Sequence, residues 1–262
     1  MKRLTVLILA AALILGTASC GNAAEMDAYN RIKREGKIVI GTEGTYPPMS
    51  YHDEAGNLTG FDVEVGRAVA EKLGVEAEFV ESDWDSLIAG ISTGRFDIVT
   101  NEVTPTDERR LTVDFSDPYT YIRNVVIVRD DYDDITRMED LAGKKVSNTI
   151  SSTHAMIAES YGAEVVAVDT FEASIEMVTQ GRADATINSE LVFNDYISSK
   201  PDAGLKIAAY DKSADVTAIP MKRGETALRY AINDAIKELQ KDGTLAEISV
   251  RYFGKDISQF SK

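Results

Sequence analysis

The chain has 262 residues, of which 28 are lysine or arginine and 43 are aspartate or glutamate, so its formal net charge is -15. This length suits one large α/β domain or two lobes of ordinary size. Because nucleic acids and anionic membrane surfaces are bound by clustered basic side chains, the acidic excess argues against either as a partner.

The N-terminus has the pattern of a secretory signal peptide. Lys2 and Arg3 precede an uncharged apolar run over residues 4–15, and small residues then lead to Cys20. A run of roughly 12 apolar residues is too short to cross a bilayer. We therefore predict a signal peptide over residues 1–19, with a buried N-terminal helix as the alternative.

Cys20 is the only cysteine of the chain, so no internal disulfide can form. The letters "TASC" resemble a bacterial lipobox, in which the cysteine after the cleavage site is acylated, although Thr17 stands where leucine is usual. Two acyl chains anchor a protein stably to a membrane. We predict lipidation at Cys20 and a tether over residues 20–25, which places the protein in a periplasm or on the outer face of the cytoplasmic membrane.

Helical and extended patterns alternate beyond the tether. The stretch "MDAYNRIKREG" is a predicted helix with a glycine stop, and it is followed by the predicted strand "KIVIG". Helix, strand, helix and strand are then predicted in turn for "FDVEVGRAVAEKLG", "AEFV", "DWDSLIAGISTG" and "FDIVT". Two further helices close the chain. Such alternation is typical of a mostly parallel sheet covered by helices.

An internal repeat aligns residues 84–101 with residues 171–188 without gaps. The identical pairs are Ile88/Ile175, Gly94/Gly181, Arg95/Arg182, Asp97/Asp184 and Asn101/Asn188. The repeat favours two lobes of similar build, although a helix, a glycine stop and a strand also recur in unrelated α/β chains.

Two extended stretches, residues 119–131 and 215–222, could connect the lobes. If both cross, lobe 1 comprises residues 26–126 plus 218–262, and lobe 2 comprises residues 127–217. A double crossing of this kind forms a hinge with a cleft between the lobes.

Polar and aromatic side chains follow several predicted strands, where open α/β sheets bind ligands. In "TPTDERR", Thr104 and the two acids after it resemble a helix start, so main-chain N–H groups and Arg109 could converge on a carboxylate. The alternative for Arg109 is a solvated helix charge, and Arg110 is expected at the surface.

The remaining candidates would complete a site for a small zwitterion. Tyr46 and Trp84 are either apolar walls or core residues, and Glu43 and Glu102 either bind an ammonium group or are solvated loop acids. Ser152 and Thr153 either cap a helix or contact the ligand. For His154, a solvated position and a cleft contact are equally compatible with the sequence.

Signatures of catalysis are weak. The chain has no paired histidine motif for a metal and no phosphate-binding loop. A nucleophile built from Ser151, Ser152 and His154 would need an orienting acid that the sequence does not reveal. No catalytic residue, metal or cofactor is therefore expected.

Five stretches between residues 37 and 257 resemble family-3 extracellular solute-binding proteins of polar amino-acid ABC importers. They are "IGTEGTYPPMSYHDEAGNLTGFDVEV", "FVESDWDSLIAGISTGRFDIV", "TDERR" with "VDFSDPY", "GRADATINSEL" and "DGTLAEISVRYFGKDIS". The letters "TEGTY", the tryptophan at position 84 and the letters "FGKDIS" look most like the cystine-binding branch.

The resemblance implies a type II periplasmic-binding-protein fold, with two mixed-sheet α/β lobes joined by a two-segment hinge. It also implies a monomer that captures a polar L-amino acid, with cystine among the candidates, and delivers it to an ABC permease and ATPase complex. The implied carboxylate contacts are Arg109, Thr104 and Thr153, the implied aromatic walls are Tyr46 and Trp84, and the implied strand-end contacts are Asn101 and Glu102.

One position departs from the family pattern. Ser189 stands where many relatives have a carboxylate for the ligand's ammonium group, and Glu102, Glu43 or Glu190 could compensate. Two rival functions stay open at this point. An exported enzyme similar to cyclohexadienyl dehydratases could use Glu102 or Glu190 as a general acid, and a ligand-sensing module of a receptor could share the same fold.

Overall fold

The computed structural model describes residues 27–259 of the chain. The predicted signal peptide, the tether and Cys20 lie outside the described residues. Within residues 27–259, no helix is long and apolar enough to cross a membrane.

Helices and strands alternate through most of this part of the chain. The helices are α1 (Ala28–Glu35), α2 (Phe61–Leu73), α3 (Trp84–Thr93), α4 (Thr153–Ser160), α5 (Phe171–Thr179), α6 (Glu190–Ser199), α7 (Thr226–Lys241) and α8 (Thr244–Phe253), with 3-10 turns at Arg109–Leu111 and Met138–Leu141. The strands are β1 (Lys37–Thr42), β2 (Thr45–Tyr46), β3 (Ser50–His52), β4 (Leu58–Thr59), β5 (Glu76–Glu81), β6 (Ile98–Val99), β7 (Val113–Phe115), β8 (Thr120–Arg129), β9 (Lys145–Asn148), β10 (Glu164–Ala167), β11 (Thr186–Ser189), β12 (Leu205–Thr217) and β13 (Pro220–Lys222).

The first sheet has five strands in the order β5-β1-β6-β13-β7. Its first three strands run parallel, as the alternating pattern predicts, whereas β13 pairs antiparallel with both β6 and β7. The sheet is mixed because β13 belongs to the part of the chain that returns after residue 217. Apolar side chains of α2, α7 and α8 form its largest core, with Phe61, Val65 and Ile232 fully buried or nearly so.

The second sheet is built around β8, which pairs antiparallel with β11 on one side and β12 on the other. Strands β9 and β10 form a parallel pair, and a bridge between Val146 and Ala185 connects that pair to the segment before β11. A separate core lies here, in which Val126, Leu141 and Ile187 are fully buried.

The chain passes between the two sheets at the two extended stretches predicted from the sequence. Strand β8 begins at Thr120 and β12 ends at Thr217, and these two residues pair with each other and share a hydrogen bond between their hydroxyls. Nearby, the Asn124 side chain donates to Asp215 Oδ2 at 2.6 Å. The lobe boundaries at residues 126/127 and 217/218 stay a prediction.

Candidate ligand-binding cleft

A cleft of about 520 Å³, counting its mouth, lies between the two sheets. From the first sheet and its loops, the lining residues are Glu43, Tyr46, Trp84, Asn101 and Glu102. From the second, they are Asn148, Thr149, Ser152, Thr153, His154, Thr170, Phe171, Ser174 and Asn188.

Strand ends supply much of this lining. Glu43 directly follows β1, and Asn101 and Glu102 come soon after β6. On the other side, Asn148 is the last residue of β9 and Asn188 lies near the end of β11. The cleft therefore has the position that open α/β sheets give to ligand sites.

Two aromatic side chains predicted from the sequence line the cleft and also pack against core residues. Trp84 is the first residue of α3, which begins where the Asp83 side chain accepts a hydrogen bond from the main chain of Ser86. Its indole Nε1 is buried and has no hydrogen-bond partner among residues 27–259. Tyr46 is held by the small β2–β3–β4 sheet, through its pairing with Ser50.

The Glu43 carboxylate is held within the cleft. Asn101 Nδ2 donates to its Oε2 at 2.6 Å, and burial raises the pKa of Glu43 to about 7 against the opposing effect of that hydrogen bond. The charges of Asp83 and Asp85 raise this pKa further. Glu43 is therefore not the solvated loop acid that the sequence also allowed.

Glu102 is the more deeply buried acid, with 9% of its surface exposed. Its main chain has φ = 49°, a left-handed conformation that is uncommon for residues other than glycine and often marks functional sites. Its N–H donates to Asp62 Oδ2 at 2.5 Å. Burial raises the pKa of Glu102 to about 8, and its Oε1 has no hydrogen-bond partner among residues 27–259.

Arg109 lies beside the cleft, against Trp84, and is not part of its lining. Its guanidinium donates to the main-chain oxygens of Thr104 at 2.9 Å and Ser151 at 3.0 Å, and it lies over the Trp84 ring with 5.2 Å from Cζ to the ring centroid. The side chain is buried, and burial lowers the pKa of Arg109 to about 10. In the described part of the chain its guanidinium forms no ion pair with a carboxylate. Arg109 is therefore not a solvated helix charge.

The predicted helix start at Thr104 is wrong. Only a 3-10 turn forms, at Arg109–Leu111, and the side chain that accepts a hydrogen bond from the Arg109 N–H, at 3.2 Å, is that of Thr106. Strand β7 begins soon after this turn, at Val113. Thr104 contributes its main-chain carbonyl to Arg109 and does not line the cleft, and Arg110 is exposed as predicted.

Neutral groups line the other side of the cleft. Ser152 caps α4, since its Oγ accepts a hydrogen bond from Ala155 at 3.1 Å, and it lines the cleft as well. Burial, with the charge of Arg109 adding to it, lowers the pKa of His154 to about 4, so this imidazole is neutral at pH 7.

Ser189 is fully buried and does not line the cleft. It caps α6, and its Oγ accepts a hydrogen bond from Val192 at 3.3 Å. The family pattern predicts Ser189 as a ligand contact, but its hydroxyl caps this helix and does not reach the cleft.

Several lining residues were not among the predicted site residues, and the internal repeat indicates two of them. Phe171 is the counterpart of Trp84, and Asn188 is the counterpart of Asn101. The remaining unpredicted residues are Asn148, Thr149, Thr170 and Ser174. Asn148 ends β9 and Thr149 follows it, at a strand end of the kind where the sequence places ligand sites, whereas no pattern distinguished Thr170 and Ser174.

Residues 38–255 match the family described as bacterial extracellular solute-binding proteins, family 3. A probable amino-acid ABC transporter-binding protein of Haemophilus influenzae (strain ATCC 51907 / DSM 11121 / KW20 / Rd) is 41% identical over 99% of this chain and 100% of its own length. Among solved structures, the L-cystine solute receptor of Neisseria gonorrhoeae in its unliganded open conformation is 41% identical, with a TM-score of 0.62 over 88% of this chain and 98% of that one.

An ancestral arginine-binding protein bound to arginine is 37% identical and superposes with a TM-score of 0.79 over 84% of this chain and 99% of that one. The superposition is better on this ligand-bound chain than on the open receptor, although the sequence identity is lower. This difference agrees with the hydrogen bonds that join the two sides of the cleft, such as those of Tyr46 with Asn188 and of Arg109 with Ser151.

Proposed function

We propose that this chain, which belongs to family 3 of the bacterial extracellular solute-binding proteins, captures a polar L-amino acid in its cleft and delivers it to the permease and ATPase of an ABC importer. Its relatives are solute-binding proteins, so it binds a solute and is not an enzyme. L-Cystine is the first ligand to test, because a receptor for it is 41% identical to this chain.

The buried Arg109 guanidinium is the observation that supports an amino-acid ligand most directly. A buried charge is costly unless an opposite charge meets it, and no carboxylate of residues 27–259 forms an ion pair with this one. A ligand carboxylate could take the place of the Ser151 carbonyl as the acceptor for Arg109. Glu43, on the same side of the cleft, would then bind the ligand's ammonium group.

The other lining residues would enclose the body of the ligand. Trp84, Tyr46 and Phe171 supply aromatic surface from both sides. Asn101, Ser152, Thr153 and His154 supply neutral polar groups. We also propose that lobe 1 (residues 26–126 plus 218–262) and lobe 2 (residues 127–217) close around the ligand by bending where β8 begins and β12 ends.

The test is the thermal stability of the mature protein against each common L-amino acid and L-cystine. A ligand that binds only the folded state raises stability by about 2.7 kcal/mol at 100 times its dissociation constant. We expect such a rise with one polar amino acid or a few related ones. A melting temperature that no amino acid changes would contradict the proposed function.

We further propose that the mature protein is a monomer anchored by acyl chains on Cys20, in a periplasm or on the outer face of the cytoplasmic membrane. No other cysteine is available for acylation. Cys20→Ala should therefore move the protein to the soluble fraction or stop its processing, whereas Ser19→Ala should stay with the membrane. An acylated Cys20→Ala product would refute the anchor.

A further inference from the structure

Three side-chain oxygens form a chain across the cleft. Oε2 of Glu102 lies 2.8 Å from the hydroxyl oxygen of Tyr46, and that oxygen lies 2.6 Å from Oδ1 of Asn188. Glu102 and Tyr46 belong to the first-sheet side, whereas Asn188 lies in β11 of the second sheet. Both distances are hydrogen-bond distances, so each contact requires one hydrogen atom.

Asn188 supplies neither hydrogen. Its Oδ1 accepts a hydrogen bond from the Ser189 N–H at 2.8 Å, so the amide oxygen, and not the NH₂ group, is the atom that contacts Tyr46. The Tyr46 hydroxyl carries a single hydrogen, which must point to Asn188. The second hydrogen, between Tyr46 and Glu102, can then come only from the Glu102 carboxyl group.

We propose that Glu102 is a neutral, protonated carboxylic acid in the closed cleft, where it donates to Tyr46 and so directs the Tyr46 hydroxyl to Asn188 of the other lobe. Glu102 is then a positioning residue for closure. It is not the charge partner of the ligand's ammonium group, a role left to Glu43. The proton on Glu102 is inferred from the geometry alone, and only the division of roles between the two acids rests on the proposed function.

The surroundings of Glu102 favour the neutral form. Burial is the largest cause of its raised pKa of about 8. The charges of Asp62 in α2 and Asp215 in β12 raise this pKa further, and hydrogen bonds from Tyr46 and Ser189 oppose the rise. Asp62 keeps its own charge-stabilising donors, the Tyr119 hydroxyl at 2.6 Å and the Glu102 N–H. Burial is the largest cause of the raised pKa of the Tyr46 hydroxyl, and Glu43, which faces Tyr46 from the loop after β1, adds to it.

This arrangement couples closure to a proton. The pKa of Glu102 in the closed cleft is above the ordinary 4.5, so the closed form holds the proton more tightly than an open, solvated form would. The contribution of the proton to closure is therefore complete at low pH and is lost as the pH rises through about 8. Above that pH, Tyr46 donates to the ionised Glu102, and the Asn188 contact loses its hydrogen.

Infrared difference spectroscopy of the mature protein, saturated with the amino acid that stabilises it most so that the cleft is closed, tests the proton directly. The wild-type protein should show the carbonyl band of a protonated carboxyl group that disappears with a midpoint near pH 8. Glu102→Gln should lack this band, and Glu43→Gln, which removes the other raised carboxyl of the cleft, should keep it. A wild-type spectrum at about pH 7 without a band that depends on Glu102 would overturn the inference.

Binding of L-cystine separates the two roles of an acid at this position. A glutamine amide still donates to Tyr46, so Glu102→Gln should bind L-cystine within about threefold of wild type. A loss of roughly 30-fold or more would make Glu102 the charge partner of the ammonium group and overturn the division of roles. If the wild-type protein does not bind L-cystine, the proposed ligand fails, and the infrared result alone decides the inference.

Discussion

The two halves of the internal repeat, residues 84–101 and 171–188, have the same local build. Each begins with a capped helix, since Asp83 caps α3 and Thr170 caps α5. Each then turns at a glycine with positive φ, 77° at Gly94 and 69° at Gly181, a conformation that glycine adopts at little cost. Each presents an aromatic ring at the start of its helix and an asparagine at the end of its strand.

The halves differ in the residues that follow them in the chain. After the first half come Glu102 and Arg109, both buried and both at or beside the cleft. After the second half come Ser189, which caps a helix, and Glu190, which pairs with Arg123 at 2.9 Å and does not line the cleft. One side of the cleft therefore supplies the ionisable groups, and the other supplies neutral hydrogen-bonding groups. With the proposed function, this comparison predicts that lobe 1 selects the ligand's charges and lobe 2 completes its enclosure.

The largest expected effect is that of Arg109→Ala. Removing one partner of a buried charge pair costs on the order of 2 to 5 kcal/mol, so affinity for the amino acid should fall from roughly 30-fold to several thousand-fold. Arg110→Ala is the matched control, because Arg110 is exposed, and it should bind within about threefold of wild type. Isothermal titration calorimetry would measure both. Equal affinities for Arg109→Ala and wild type would contradict the prediction that lobe 1 selects the ligand's charges.

A smaller loss is expected for Glu43→Gln. A hydrogen bond to a charged group is worth about 1.5 to 3 kcal/mol, and partial exposure of Glu43 places the effect near the lower value, or roughly tenfold in affinity. Glu190→Gln removes an acid from the corresponding end of the second half and should change affinity by less than about threefold. A larger loss in Glu190→Gln than in Glu43→Gln would reverse the assignment of the lobes.

The two lobes should also respond oppositely to pH. Glu102 has its pKa raised from 4.5 to about 8, so the folded state binds the extra proton and stability falls as pH rises through this window. His154 has its pKa lowered from 6.5 to about 4, so stability falls as pH decreases through that window. The melting temperature of Glu102→Gln should therefore rise relative to that of wild type as the pH increases towards 8. The melting temperature of His154→Gln should rise relative to that of wild type as the pH decreases towards 4. Parallel pH profiles for the three proteins would contradict these assignments.

The smallest effect should be that of Ser152→Ala, which removes a neutral group from lobe 2. Loss of the cap of α4 should lower the free energy of unfolding by about 1 kcal/mol in urea denaturation. Affinity should fall by less than about tenfold. Ser160→Ala, at the exposed end of the same helix, is the control and should change neither quantity appreciably. A fall in affinity as large as that of Arg109→Ala would show that lobe 2 is not merely enclosing the ligand.

The sequence predicted the site residues that follow recognisable strands or begin periodic helices. Trp84 and Asn101 are of this kind, and their counterparts Phe171 and Asn188 could have been found from the repeat. The location of Tyr46 could not be derived from periodicity, because strands β2 to β4 have only two or three residues and show no alternation.

Other features depend on contacts distant in the chain. Ser189 reads as a strand-end polar residue, and only the immediate start of α6 makes it a buried cap. The proton of Glu102 depends on Tyr46 and Asn188, which are far from it in sequence. The extended crossings, in contrast, were predictable because residues 119–131 and 215–222 show no helical period.

The most direct test of charge selection by lobe 1 is a cycle of calorimetric affinities. The two ligands are the amino acid that stabilises the protein most and its α-carboxamide, and the two proteins are wild type and Arg109→Ala. If Arg109 binds the carboxylate, wild type should discriminate against the carboxamide by roughly 30-fold or more, and Arg109→Ala should bind both ligands within about threefold of each other. If Arg109→Ala retains the full discrimination, the carboxylate is bound elsewhere and the account is contradicted.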